Sequence, residues 1–332
     1  TGKSYHALSA AKNLGARLGV VVPKSGVPGW ERMAELAGVE LAFVANIEKL
    51  KTGKQEVIRR RSDGHWRVKV PDDTILVFDE AQGYCGSHSE NGLILATAPK
   101  PTLMLSATLC RTPLRMRGVM HQLDLVPWDR WYSWALGQGC LPKPLRFTED
   151  PAEGERVMHR LHEQLFPKHG VRVRISDLPP GAFPENFVRV VLLPVKAPKE
   201  ADRHLAALLE SAKLDTNPGA AHQAAELQLL PALFELIEQD LDAGFKPVVF
   251  CSFRATLARL LEEFPGWASI YGGQTDREEQ RLRLQNGDAA GIGVMIQAGG
   301  ITCDLHDLGT GPRSSYILPN FRADQVVQGM GR

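Results

Sequence analysis

Short apolar runs punctuate the first part of the chain. Gly19-Val20-Val21-Val22-Pro23, residues 41–44, residues 74–78 and residues 101–105 are continuous stretches rich in Val, Ile and Leu. Runs of that length and composition predict strands buried on both faces, as in a parallel sheet. Between them lie segments of helical pattern: the Ala- and Leu-rich residues 5–18, and a helix entered through the loop at 23–31 and continuing to Ala37. Parallel strands need crossover connections, so strand–helix alternation implies an α/β fold. The same plan returns later in the chain. Residues 247–253, 268–271, 292–297 and 315–319 predict strands, and residues 254–264 and 276–285 predict helices. Ahead of these, residues 204–214 and 224–241 read as amphipathic helices, with Gly244 as a stop signal.

Two stretches break the pattern. Residues 52–73 are polar and charged, include Arg59-Arg60-Arg61, and read as a solvated face or hairpin. Residues 109–195 hold Trp128, Trp131, Trp134, several prolines and a basic stretch at 168–174, and read as helical pieces followed by a strand at 187–194. The tryptophans read as packing residues rather than base-stacking platforms. The expected organisation is a first α/β domain at 1–125, an inter-domain segment at 126–195 and a second α/β domain at 196–332.

Composition narrows the class. With 332 residues, 43% hydrophobic and 23% charged, the chain is a globular protein long enough for two domains. A net charge of +1 gives no global basic field, so any nucleic-acid contact has to come from a local surface. Cys85, Cys110, Cys140, Cys251 and Cys303 are scattered without a close pair, which argues against a disulfide framework or a zinc site. That scatter fits a reducing compartment, and the expected location is the cytoplasm of a bacterium or of an infected host cell. No apolar run approaches membrane-spanning length. The chain opens on Thr1-Gly2-Lys3-Ser4 and closes on Gly329-Met330-Gly331-Arg332, and is expected to be a piece of a longer protein.

The candidate chemistry sits at the ends of the predicted strands. The 74–78 run stops at Asp79 and Glu80. Two acids there would lie at the carboxyl edge of the sheet, where open α/β folds hold ligands; the same acids also suit a solvated turn. Gly2-Lys3-Ser4 is the C-terminal half of the phosphate-binding pattern G-x-x-x-x-G-K-[ST], and a helix and then a strand follow it, as that loop requires. The same triplet can also be an ordinary helix start. Ser106-Ala107-Thr108 closes the 101–105 run with small hydroxyl residues.

In this order the motifs resemble those of the superfamily 2 helicases and translocases, most closely the Swi/Snf-type ATPases, including compact phage and viral members. Gly2-Lys3-Ser4 matches the end of motif I. Pro23-Lys24 with Trp30-Glu31 resembles motif Ia, and residues 46–50 resemble motif Ib. Asp79-Glu80-Ala81-Gln82 looks like motif II, and Ser106-Ala107-Thr108 is motif III verbatim. Residues 248–254 resemble motif IV, residues 297–305 motif V, and residues 325–332 motif VI, cut off at its first arginine. Gln82 stands where many relatives have His, and Asp304 where Swi/Snf-type relatives usually have Asn or Ser.

The resemblance implies two tandem RecA-like domains with parallel sheets and an inter-domain helical segment. It implies ATP and Mg2+ as ligands, with ATP bound by Gly2, Lys3, Ser4, Gly300, Asp304 and Gln328. Ser4 and Asp79 would hold the metal, Glu80 would orient or deprotonate the attacking water, and Arg332 would act as an arginine finger. Pro23, Lys24, Ser252, Arg254 and Gly300 would contact nucleic acid, expected to be double-stranded DNA, while Gln82, Ser106 and Thr108 would couple the two sites. The implied function is ATP-dependent movement on nucleic acid, with weak turnover expected from this piece alone. Two other readings stay open: a non-catalytic nucleic-acid-binding module, and a motor subunit of a restriction or remodelling complex.

Overall fold

The computed structural model describes residues 2–52, 57–62, 65–86, 89–100, 102–107, 109–110, 112–173, 177, 179, 188–191, 218–299, 305 and 310–320. The chain divides into two compact units, Thr1–Glu185 and Asn186–Arg332.

In the first unit, helix α1 (Lys3–Leu14) leads into strand β1 (Arg17–Val21), and helix α2 (Val27–Ala37) into β2 (Leu41–Ala45). A short helix α3 (Ile47–Lys51) precedes an antiparallel ribbon of β3 (Ile58–Arg60) and β4 (Trp66–Val68). Strand β5 (Thr74–Asp79), helix α4 (Glu90–Ala96) and strand β6 (Thr102–Leu105) follow. The main sheet has the order β2-β1-β5-β6, with every pairing parallel. All residues of β5 are buried, and its alternate side chains feed two different cores. Ile75 and Val77 pack with Leu8, Ala11, Trp30 and Ala34 of α1 and α2. Leu76 and Phe78 join Ile94, Leu95 and Met120 on the opposite face. That double burial is why the run is continuously apolar rather than alternating.

The stretch expected to join the two domains is, as far as Leu165, part of this second core. Helices α5 (Arg117–Gln122), α6 (Trp131–Gly137) and α7 (Pro151–Leu165) supply Val119, Met120, Trp131, Ala135 and Leu165 to it. The first sheet needs apolar cover on both faces, and these helices provide it. Trp131 is buried and stacks on Trp134 at 4.8 Å, and the Arg117 guanidinium lies 3.8 Å from the Trp128 ring, so the tryptophans serve packing. The strand expected at 187–194 is not present at residues 188–191, which are exposed and pair with no strand; the rest of that stretch lies outside the described residues.

The second unit has helix α8 (Pro218–Asp242), strand β7 (Lys246–Cys251), helix α9 (Arg254–Glu263), β8 (Ala268–Ile270), helix α10 (Arg277–Asn286), β9 (Ile292–Met295) and β10 (Arg313–Ile317). Its sheet is also all parallel, in the order β10-β7-β9-β8. Strand β7 again splits its side chains, Val248 and Phe250 to one core and Val249 and Cys251 to the other. The strand expected to reach Gln297 ends at Met295, where its neighbour β7 also ends at Cys251. Beyond that register there is no ladder partner, and Ile296–Gly299 turns into a short helix. The helix expected at 204–214 lies outside the described residues.

Candidate active site

Because the first sheet is parallel, the residues that follow each strand gather along one edge. Pro23 follows β1, Asn46 follows β2, Asp79 and Glu80 close β5, and Ser106 follows β6. This is the carboxyl edge, where α/β sheets hold ligands.

The acid pair diverges at its backbone. Glu80 has φ 51°, a left-handed conformation that costs a non-glycine residue energy, and a tight turn at Ala81–Tyr84 follows it. Adjacent carboxylates therefore serve different partners. Asp79 Oδ2 accepts the indole N–H of Trp30 at 2.9 Å, and its Oδ1 accepts the Glu80 backbone N–H at 2.9 Å. Burial pushes the Asp79 carboxyl above its ordinary pKa; the Trp30 bond acts against that rise, the Glu80 charge adds to it and Lys3 opposes it. Glu80 Oε1 accepts from Lys3 Nζ at 3.1 Å, and Glu80 Oε2 accepts from Gln82 Nε2 at 2.6 Å. Gln82 Oε1 in turn accepts the Ser106 hydroxyl at 2.6 Å. Lys3, Glu80, Gln82 and Ser106 thus form one hydrogen-bonded relay across residues matching motifs I, II and III.

Lys3 opens α1 directly after Gly2, whose φ of 69° suits glycine. Ser4 is beside it on the same first turn, half-buried. Asp79 offers a desolvated carboxylate and Ser4 a hydroxyl on the first turn of α1, and such oxygen donors are the kind a hard cation such as Mg2+ takes. Among the described residues no cluster of three or more His, Cys, Asp or Glu side chains makes a metal centre of another kind. Burial holds the Cys85 and Cys251 thiols up at about 12 and Cys110 at about 11, which leaves them without nucleophilic thiolate character at neutral pH.

The candidate nucleic-acid residues are more dispersed. Lys24 is exposed and begins a single turn before α2. Asn46 caps α3 through the Lys49 N–H at 2.7 Å. In the second unit Ser252 and Arg254 follow β7. The Ser252 N–H donates to Glu226 at 2.7 Å, and its hydroxyl accepts from Asn320 at 3.0 Å. Arg254 lies 4.2 Å from the Tyr271 ring and donates to the Gly272 carbonyl at 2.9 Å. Thr108, Gly300, Asp304, Gln328 and Arg332 lie outside the described residues.

Two contributors were not foreseen as site residues. Trp30 had been noted only as part of a motif, although a buried indole N–H nearly always finds an acceptor. Glu226, 1% exposed, takes the Ser252 N–H and the Thr256 hydroxyl at 2.6 Å, and nothing in the helical pattern sets it apart from the other acids of the same helix.

In fold class and in motif order, the chain is similar to the superfamily 2 helicase-type ATPases. Among curated proteins, one from Acanthamoeba polyphaga mimivirus, named "putative ATP-dependent RNA helicase", is 26% identical over 377 aligned positions, covering 100% of this chain and 70% of that protein. No family model matches. Solved structures resemble the chain loosely. The Sulfolobus solfataricus SWI2/SNF2 ATPase core in complex with dsDNA is 15% identical, covers 89% of this chain and 71% of its own, and has a TM-score of 0.35. The Pyrococcus furiosus Hef helicase domain is 14% identical, covers 100% and 87%, and has a TM-score of 0.36. Likenesses that loose bear no functional weight.

Proposed function

We propose that this chain is the core of an ATP-hydrolysing motor that moves along nucleic acid. The observation that carries the reading is the relay from Lys3 through Glu80 and Gln82 to Ser106. Triphosphate hydrolysis needs positioned phosphates, positive charge and an oriented water. Lys3 meets the phosphate charge, and Glu80 accepts the proton or holds the water. Ser4 and Asp79 would hold magnesium, which when bound would neutralise charge on the phosphates. A phosphate drawn to Lys3 competes with Glu80 for the same ammonium group. Glu80 then remains tied to Gln82, so its orientation depends on Ser106. A displacement of the Ser106 loop is thereby felt at the water-handling acid. On the strength of the motif resemblance, Gly300, Asp304, Gln328 and Arg332 are further proposed nucleotide contacts.

The proposed track is double-stranded DNA, favoured by the motif likeness to Swi/Snf-type ATPases; the name of the viral relative points instead to RNA. Pro23, Lys24, Ser252, Arg254 and Gly300 are the proposed backbone contacts. The test is ATP hydrolysis by the purified protein alone, with duplex DNA and with duplex RNA. Stimulation by DNA supports the full reading, and stimulation by RNA alone moves the track to RNA. Absence of stimulation by either, with Glu80→Gln and wild type behaving alike, removes the motor. Strand displacement beside triplex displacement then separates unwinding from translocation.

A further inference from the structure

We infer that the β3–β4 ribbon is a second phosphate-contacting surface of the first unit, one that no motif marks. The inference rests on the nucleic-acid reading above and extends it.

The ribbon has two unlike faces. Ile58 pairs with Val68, and both are buried in the core shared with Leu50, Ile94 and Leu95. Arg59 pairs directly with Arg67 on the opposite face. Side chains alternate along a strand, so Arg61, His65 and Lys69 fall on the same outer side as that pair. All five are exposed, and the Arg61 N–H donates to the His65 carbonyl to close the ribbon above them. Arg60, on the inner side, lies 5.8 Å from the Trp66 ring. The outer face thus carries Arg59, Arg61, Arg67 and Lys69 together, in a chain whose net charge is only +1.

The evenly spaced phosphates of a polyanion match a row of cations along a ribbon. The position fits as well. The ribbon packs on Leu50 of α3, the segment resembling motif Ib, and Arg60 approaches Glu90 at the start of α4. Both helices emerge from the carboxyl edge of the sheet, so the ribbon continues the side on which Pro23 and Lys24 lie.

The test compares the wild type with Arg59→Ala/Arg67→Ala/Lys69→Ala and with a charge-matched control, Arg146→Ala/Arg156→Ala/Arg160→Ala, whose cations are exposed elsewhere on the unit. Binding to duplex DNA and to duplex RNA is measured by fluorescence anisotropy over a salt series. The ribbon variant is expected to lose about tenfold in affinity at low salt, and its log affinity–log salt slope to become shallower by about 1 for each phosphate contact removed. The control is expected to stay close to the wild type. The thermal midpoint of the ribbon variant should stay close to that of the wild type, because all three side chains are exposed. Wild-type affinity and slope in the ribbon variant overturn the proposal while leaving the motor intact, as does an equal loss in the control. Loss of binding only to phosphatidylserine vesicles also overturns it, by assigning the face to a membrane surface. If the wild type binds neither duplex and its ATP hydrolysis is not stimulated, this proposal and the motor fall together.

Discussion

The Ser106 hydroxyl donates to Gln82 Oε1 at 2.6 Å, while the amide nitrogen of the same Gln82 donates to Glu80 at 2.6 Å. A carboxamide presents an acceptor and a donor in fixed opposition, so one side chain can link an acid to a hydroxyl. Histidine, common at this position in the resembling family, offers the same pair of roles in its neutral form. The departure from that pattern therefore preserves the link.

Gln82→Ala should break it. Nucleic-acid-stimulated ATP hydrolysis is expected to fall by about tenfold to a hundredfold, the usual range for losing a group that orients a reacting one. ATP affinity should change little, because Lys3 is untouched. Gln82→His should recover most of the loss. Steady-state ATPase assays beside nucleotide-binding titrations check this, and a Gln82→Ala protein with wild-type stimulation would contradict it.

Glu80→Gln removes the acid but releases Lys3 from its ion pair. Hydrolysis is expected to drop by about a hundredfold or more, as for loss of a general base. ATP binding should hold or tighten, since the ammonium no longer has a competing carboxylate. Single-turnover hydrolysis and equilibrium binding measured on one preparation separate the two effects.

Asp79 gives a pH signature. Its folded pKa is raised, first by burial. A raised acid contributes stability that is present below the unfolded value, about 3.9, and lost as pH rises through the folded value. Compared with Asp79→Ala, the wild type should therefore gain relative stability as pH falls from neutrality toward 4. Urea unfolding of both proteins over that window, without magnesium or nucleotide, tests the sign. A wild type that loses stability relative to Asp79→Ala on acidification would contradict it.

Glu226 separates charge from shape. Glu226→Ala leaves the Ser252 N–H and the Thr256 hydroxyl without their acceptor in a buried place, and should cost about 1.5–3 kcal/mol. Glu226→Gln should cost much less, because its carbonyl keeps the Ser252 bond and a hydroxyl can accept from the amide. Urea unfolding reports the stability difference. Nucleic-acid binding by Glu226→Ala tests whether the Ser252–Arg254 turn has also loosened.

The strands were legible because double burial writes itself locally. A strand covered on both sides must be apolar at consecutive positions, as in Leu76-Val77-Phe78, and the polar residue that ends it marks the sheet edge. Lys3, Asp79, Glu80 and Ser106 could be placed on that edge from sequence, since parallel strands gather their ends. The ribbon was legible only as a solvated face or hairpin, because its charge pattern does not reveal which positions oppose each other.

Pairing across distance was not legible. Trp30 meets Asp79 across 49 residues, and Glu226 meets Ser252 across 26. Neither pair shares a helix or strand whose period would announce it. The same holds for the helices between Arg117 and Leu165: they were legible only as helical pieces, and the sheet face they cover was not. The sequence by itself determined the α/β class, the placing of the motifs at strand ends and the chemical types at the sheet edge, because periodicity and strand ends are local properties. Only the tertiary structure decided that Glu80 is held between Lys3 and Gln82, and that Arg59 stands opposite Arg67. Those contacts depend on a backbone reversal and a strand register that side-chain packing selects.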